Sequence, residues 1–135
     1  MAQLLQEGDY TDALQYYPKY QEQIQELEQV PGTTLCSKVQ YLESQFYQYA
    51  VQSYNALTSG DKNLAMQYKN QAKRILSLLN WLSQVTGQDY TTNPYVQSGM
   101  NKLQAVKNVV GDSGVYATPG VLGLYETTRA LPSSY

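Results

Sequence analysis

The stretch DKNLAMQYKNQAKRILSLLNWLSQV, residues 61–85, decides the fold that this sequence predicts. Its apolar side chains recur every three or four positions and so share one face of an α-helix, at Leu64, Tyr68, Ala72, Ile75, Leu79 and Leu82. Leu76, Leu78 and Trp81 add apolar surface on other sides of the same helix. A helix that is apolar on several sides must be surrounded by other elements, so we expect residues 61–85 to be the most buried part of a bundle.

Three further segments carry the same helical period. Residues 35–57 again place apolar side chains at steps of three and four, residues 94–110 follow a helix-start pattern at Asn93-Pro94, and residues 2–30 show a weaker stripe. Pro18 should break or kink the first of these segments in the chain, because proline lacks a backbone donor. The sequence therefore predicts an all-α fold, a bundle of about four helices over residues 1–111.

The end of the chain, residues 112–135, differs from the predicted bundle. Apolar residues are frequent there, yet the segment is interrupted at Gly114, Pro119, Gly120, Gly123 and Pro132. It is too apolar for a solvated linker and too interrupted for a long helix. We expect an extended C-terminal arm, which either straps over its own bundle or reaches onto a neighbouring subunit.

The aromatic composition points to contact surfaces. The chain has 14 tyrosines against one phenylalanine and one tryptophan, and 17 glutamines, while only 15% of its residues are charged. A tyrosine can be buried in a contact while its hydroxyl stays hydrogen-bonded, and neutral polar groups cost less to bury than charges. We expect subunit contacts at Tyr47, Tyr90 and Tyr95 in the bundle and at Tyr116, Val121, Leu122, Leu124, Tyr125, Leu131 and Tyr135 in the arm.

The sequence offers little for catalysis or for a cofactor. Histidine is absent, Cys36 is the single thiol, and no phosphate-binding loop, dinucleotide fingerprint or zinc-binding spacing occurs. Glu22 and Glu26 have the four-residue spacing of a shared metal site, but no third ligand is evident beside them. We therefore predict that the protein is not an enzyme and carries neither a metal nor a cofactor.

The charge distribution makes nucleic acid a less favoured partner than protein. The net charge is −2 and the sequence pI is about 5.0, which argues against a general affinity for phosphate backbones. Within residues 61–85, however, a basic row runs beside Tyr68, formed by Lys62, Lys69, Lys73 and Arg74. Such a row is suited to phosphate contacts, and it is equally typical of a solvated helix face.

A short internal echo suggests one alternative function. Gly8-Asp9 and Gly60-Asp61 are each followed at the same offsets by alanine, glutamine and tyrosine. The pattern resembles two-helix hairpin repeats of the tetratricopeptide type, and that resemblance implies an intracellular adaptor that binds a partner protein in a groove. Two helix starts that share a capping dipeptide would produce the same echo, and the separation of 52 residues does not fit the repeat.

Taken together, the short length, low charge, tyrosine and glutamine content, helical layout and arm resemble the small helical structural proteins of archaeal viruses. That resemblance implies self-assembly into a particle or its appendage, with other copies of the chain and other virion proteins as partners. It also implies a location in the virion after assembly in the host cytoplasm, whereas a cellular protein of this kind would be cytoplasmic. No apolar run of about 18 residues is present, so no membrane span is expected.

Overall fold

The computed structural model describes residues 1–111, so the predicted arm, residues 112–135, lies outside the described residues. Residues 1–111 are 82% helical and contain no strand, which confirms the predicted all-α fold. A short 3-10 helix, Pro18–Tyr20, lies among six α-helices. These are α1 (Ala2–Glu7), α2 (Tyr10–Tyr16), α3 (Gln21–Gln29), α4 (Leu35–Thr58), α5 (Lys62–Thr86) and α6 (Pro94–Val110).

The three long helices begin at capping side chains. At the start of α4, Thr34 Oγ1 accepts from the Ser37 amide at 3.1 Å, while Ser37 Oγ accepts from the Thr34 amide at 3.0 Å. Asp61 caps α5 by accepting from the Leu64 amide at 3.0 Å. Because three residues join α4 to α5, the two helices form an antiparallel hairpin, and α6 packs back along α4.

The first segment of the chain is divided more finely than its period predicts. The predicted break at Pro18 is confirmed, since α2 ends at Tyr16 and the 3-10 helix begins at Pro18. A second break lies at Gly8, whose φ of 76° is a left-handed conformation that glycine adopts without a steric cost. Three short α-helices therefore occupy a segment for which the sequence predicts one break or kink, at Pro18, and the bundle has six α-helices rather than about four.

The echo between Gly8-Asp9 and Gly60-Asp61 is explained by two helix starts of the same kind. Each glycine has a positive φ, 76° in the first copy and 88° in the second. Each aspartate then caps the following helix through its side chain, α2 in one case and α5 in the other. Capping chemistry thus accounts for the shared Gly-Asp pair without a structural repeat.

As predicted, α5 supplies the largest set of buried residues, but its buried face is rotated from the one that the apolar spacing indicates. Leu64 is 37% exposed, while the neighbouring Ala65 and Lys69 are fully buried. Ala65 lies close to α4, where Ser53 Oγ donates to its carbonyl oxygen at 2.7 Å. A small side chain lets two helix backbones approach, so Ala65 rather than Leu64 faces α4 at this level.

The core is aliphatic around two large rings, Phe46 and Trp81, which are 0% and 1% exposed. Helices α1 to α3 cover one end of the α4–α5 hairpin with the buried side chains Leu5, Ala13, Ile24 and Leu27. Tyr20 packs edge-on against Trp81 with the ring centroids 5.6 Å apart. The short helices thus close the core at the end of the hairpin where α5 finishes.

Helix α6 comes close to α4 at Gly99. A Cβ atom placed on Gly99 would lie 2.6 Å from Cε2 of Phe46 and 3.3 Å from Cβ of Ala50. Both of those residues are fully buried, so the Phe46 ring has little room to withdraw. Gly99 therefore sets the distance between α4 and α6, and with it the position at which α6 begins.

We expect Gly99→Ala to lower the free energy of unfolding by about 1–3 kcal/mol, since the added methyl overpacks the Phe46 site. The better helix propensity of alanine, worth about 1 kcal/mol, offsets only part of this. Urea denaturation followed by circular dichroism measures the change. Asn101→Ala, at an exposed position of the same helix, should stay within about 0.5 kcal/mol of the parent. A Gly99→Ala chain at least as stable as the parent would contradict this account of the contact.

Candidate functional site

The tyrosines of residues 1–111 lie at the surface. All eleven in this part of the chain keep partial or full exposure, whereas Phe46 and Trp81 are buried. Exposure is largest at Tyr16, with 66%, and at Tyr95, with 62%. Several other tyrosines are partly buried and pack against the outside of the core. The interior is thus filled without tyrosine, and the phenol groups are presented where another molecule can meet them.

One side of α4 carries a groove, which we call the α4 groove. It consists of two adjoining depressions of about 490 and 470 Å³ that share Gln40 and Glu43. The first is lined by Gln6, Thr34, Leu35, Cys36, Val39, Gln40, Glu43, Gln88 and Tyr90. The second is lined by Gln40, Glu43, Ser44, Tyr47, Gln48, Asn93 and Tyr95. Neutral amides and phenols therefore provide most of the polar lining.

The structure brings together the three bundle tyrosines that sequence analysis predicts at subunit contacts. Tyr90 lines one half of the α4 groove, and Tyr47 and Tyr95 line the other. The rings of Tyr47 and Tyr95 meet edge to face, with centroids 5.2 Å apart and an interplanar angle of 71°. The arm residues predicted beside them lie outside the described residues: Tyr116, Val121, Leu122, Leu124, Tyr125, Leu131 and Tyr135.

Hydrogen bonds fix the loop between α5 and α6, which carries Tyr90, and the start of α6, which carries Tyr95. Asp89 Oδ1 accepts from the amide and the hydroxyl of Thr91 at 2.9 and 2.6 Å, and these bonds hold the pKa of Asp89 below its ordinary 3.8. Asn93 Oδ1 caps α6 by accepting from the Tyr95 amide at 2.8 Å. Gln97 Nε2 donates back to the Thr91 carbonyl at 2.6 Å. The groove wall is therefore held in place by the chain itself.

Glu43 is the one carboxyl among the residues that line the α4 groove. The side chain is half-buried, and desolvation raises the pKa of Glu43 above its ordinary 4.5, with no compensating charge nearby in residues 1–111. Sequence analysis did not select Glu43. The available indication was its place between Leu42 and Phe46, since a carboxyl beside an apolar stripe is carried to the edge of a buried surface.

The four cations predicted to contact phosphate do not form an exposed row. Lys62 is exposed and Arg74 is half-buried, while Lys69 and Lys73 are buried. The Lys69 ammonium donates to the carbonyl oxygen of Gly111 at the end of α6. A cation is favourable at the carboxyl end of a helix, where the last carbonyl groups lack partners within the helix. Lys69 thus has a structural role at α6.

Lys38 has a similar role at the end of α3. Its ammonium donates to the carbonyl oxygens of Val30 and Glu28, at 2.5 and 3.3 Å. The side chain is only 4% exposed, and desolvation lowers the pKa of Lys38, while the charge of Glu28 acts in the opposite direction. Two lysines of the hairpin therefore close the carboxyl ends of the helices that pack against it.

Other surfaces of the described part carry less chemistry. Residues 1–111 contain no group of three or more histidine, cysteine, aspartate or glutamate side chains placed to hold a metal ion. None of the helices in this part is long and apolar enough to cross a membrane. A shallow acidic depression on α3 is lined by residues of that helix alone: Glu22, Gln25, Glu26, Glu28 and Gln29.

Comparisons with protein-family models, with curated proteins and with solved structures give no match to this chain.

Burial of carboxyl groups predicts that stability falls between acid and neutral pH. Desolvation raises the pKa of Glu43 and of Glu26 from the ordinary 4.5, although Arg74 opposes it at Glu26. The folded chain binds the proton more tightly than the unfolded chain does, so this stability is complete below about pH 4.5 and is lost as the pH rises through the raised pKa values. The urea midpoint should accordingly be higher near pH 4.5 than at pH 7.

Glu43→Gln should remove part of that dependence and stabilise the chain at pH 7, by less than about 1 kcal/mol because the group is partly solvated. Glu22→Gln, at an exposed position of α3, is the matched control and should leave the pH profile unchanged. A midpoint that rises steadily from pH 4.5 to pH 7 in the parent chain would show that burial of these carboxyls does not govern the acid response.

Proposed function

We propose that this chain is a structural self-assembly protein, and that the α4 groove is a contact surface between copies. The proposed role is non-enzymatic and needs neither a metal nor a cofactor. The observation that carries it is the distribution of aromatic residues: the eleven tyrosines of residues 1–111 all keep exposed surface, while Phe46 and Trp81 fill the core. Tyrosine is enriched in protein interfaces relative to the rest of the surface.

Preorganisation of the groove supports the proposal. Hydrogen bonds fix the loop that bears Tyr90 and the first turn of α6 that bears Tyr95, and Tyr95 is further held by its ring contact with Tyr47. A tyrosine has few rotatable bonds, so ordering it in a contact costs little side-chain entropy. Less of the gross contact energy is then spent on ordering the surface when a partner binds.

The polar chemistry of the groove also suits a protein partner. Its lining is mainly amide, hydroxyl and phenol, with Glu43 as the one carboxyl among the lining residues. Neutral donors and acceptors can exchange water for the backbone groups of a partner at a smaller desolvation cost than charges can. The burial of Lys69 and Lys73 leaves fewer cations for a phosphate backbone, so we place nucleic acid behind protein as the partner.

We place the assembly in a virus particle or its appendage, as the resemblance to small helical structural proteins of archaeal viruses implies. The virion would then be the location, with other copies and other virion proteins as partners. The second candidate is an adaptor that holds a peptide of another protein. The two depressions of the α4 groove, about 490 and 470 Å³, also suit that role, and the oligomeric state separates the two functions.

Sedimentation velocity over a range of concentrations should show self-association of the full chain. Tyr47→Ala and Tyr95→Ala should each weaken it about tenfold or more, because truncation of an anchoring tyrosine at an interface costs about 1–2 kcal/mol. Tyr16→Ala is the matched control, since Tyr16 is as exposed as Tyr95 but does not line the groove. A full chain that stays monomeric throughout would reject self-assembly and favour the adaptor.

A further inference from the structure

We propose that the α4 groove receives the C-terminal segment, residues 112–135, of a neighbouring copy, with Arg129 of that segment paired to Glu43. This inference rests on the proposed self-assembly and names the two surfaces that meet in it. Each copy would then both donate a segment and accept one.

The groove presents an uncompensated carboxylate. Glu43 is half-buried at the junction of the two depressions, and no basic side chain of residues 1–111 lies among the lining residues. A partly desolvated carboxylate gains most from a cation that also donates hydrogen bonds to it. A ligand that completes this site therefore carries a cationic side chain. The residues next to that side chain in the ligand should be able to pack against phenol rings and to hydrogen-bond with amides.

The C-terminal segment supplies that chemistry. Arg129 is the one basic residue in residues 112–135, and its neighbours in sequence include Tyr125 and Leu131. A guanidinium group pairs with a carboxylate through two parallel hydrogen bonds and can stack on an aromatic face. Tyr47 and Tyr95 lie in the same half of the groove as Glu43, so both modes of recognition are available to one arginine.

The amides of the groove suit a peptide that is not helical. Gln40, Gln48 and Asn93 line the depression that Glu43 shares with Tyr47 and Tyr95. Each side-chain amide offers both donors and an acceptor, which match the N–H and C=O groups of an extended backbone. A sequence interrupted by glycine and proline, as residues 112–135 are, favours such a backbone over a long helix.

The direction of α6 carries the end of the described chain away from the groove. Helix α6 begins beside the groove at Asn93 and ends at Val110, about 25 Å farther along its axis. The chain therefore leaves the bundle at the end away from the groove. Arg129 follows Gly111 by 18 residues, a span of up to about 60 Å, which reaches the groove of a second copy as well as that of the same chain. The assignment to a second copy follows from the proposed self-assembly. A donor at one end and an acceptor at the other give a head-to-tail contact that repeats.

Charge exchange tests the pairing in the full chain. Sedimentation velocity would compare the parent with Glu43→Arg, with Arg129→Glu, with a one-to-one mixture of these two variants and with the double variant. Each single variant should associate about thirtyfold more weakly or worse, since breaking a desolvated charge pair costs about 2 kcal/mol or more. The mixture should recover association, because one variant keeps Arg129 and the other keeps Glu43. The double variant should recover it as well.

Glu22→Arg makes the same charge change on the exposed face of α3 and should associate as the parent does. Circular dichroism checks that each variant keeps its helix content, and Glu43→Gln would replace Glu43→Arg if the latter does not. An Arg129→Glu chain that associates like the parent would overturn the pairing and leave self-assembly standing. Recovery in the double variant without recovery in the mixture would place the pair within one chain. A parent that stays monomeric would reject the pairing and the self-assembly together.

Discussion

The buried ring of Phe46, packed against Gly99, is the contact on which the rest of the described structure depends. A Cβ atom at Gly99 would lie 2.6 Å from that ring, so α6 can pack along α4 at this distance only because residue 99 has no side chain. The position of α6 then places its first turn, with Asn93 and Tyr95, beside the middle of α4. The α4 groove is thus a consequence of how the core packs.

The same core explains why the tyrosines are at the surface. Phe46, Trp81 and aliphatic side chains fill the interior, and a phenol placed there would need a buried partner for its hydroxyl. At the edge of the core a tyrosine can bury part of its ring and keep its hydroxyl in water. Tyr20, half-buried against Trp81, lies at such an edge. A chain rich in tyrosine and poor in charge therefore has an amphipathic surface, which is the physical basis of the proposed assembly.

The sequence predicted the helices better than the faces they bury. Asp61, Asn93 and Pro18 identify where helices begin and end, because capping and the missing proline donor are local effects. The burial of Lys69 could not be predicted in this way. Its ammonium is held by the Gly111 carbonyl, 42 residues away, and such a partner is set by the packing of α6 and not by the spacing along α5.

The residues of the groove also differ in how far the sequence indicates them. Some are indicated by composition, and others are brought together only by the packing of the helices. Tyrosine content indicated that Tyr47, Tyr90 and Tyr95 belong to a contact surface, and the structure places all three in the α4 groove. Glu43 was not recognised because Gln88 and Tyr90, which line the same depression, follow it by about 45 residues in the chain. Side chains brought together from separate helices are found only when the helices are packed.

Residue-resolved tyrosine footprinting of the full chain, from dilute to concentrated solution, tests the central claim most directly. The claim is that the α4 groove is buried when copies meet. The account predicts that Tyr47, Tyr90 and Tyr95 lose reactivity as the concentration rises, while Tyr16, which lies outside the groove, keeps it. Equal reactivity of the groove tyrosines at every concentration, in a chain shown by sedimentation to associate, would contradict it and place the contact elsewhere.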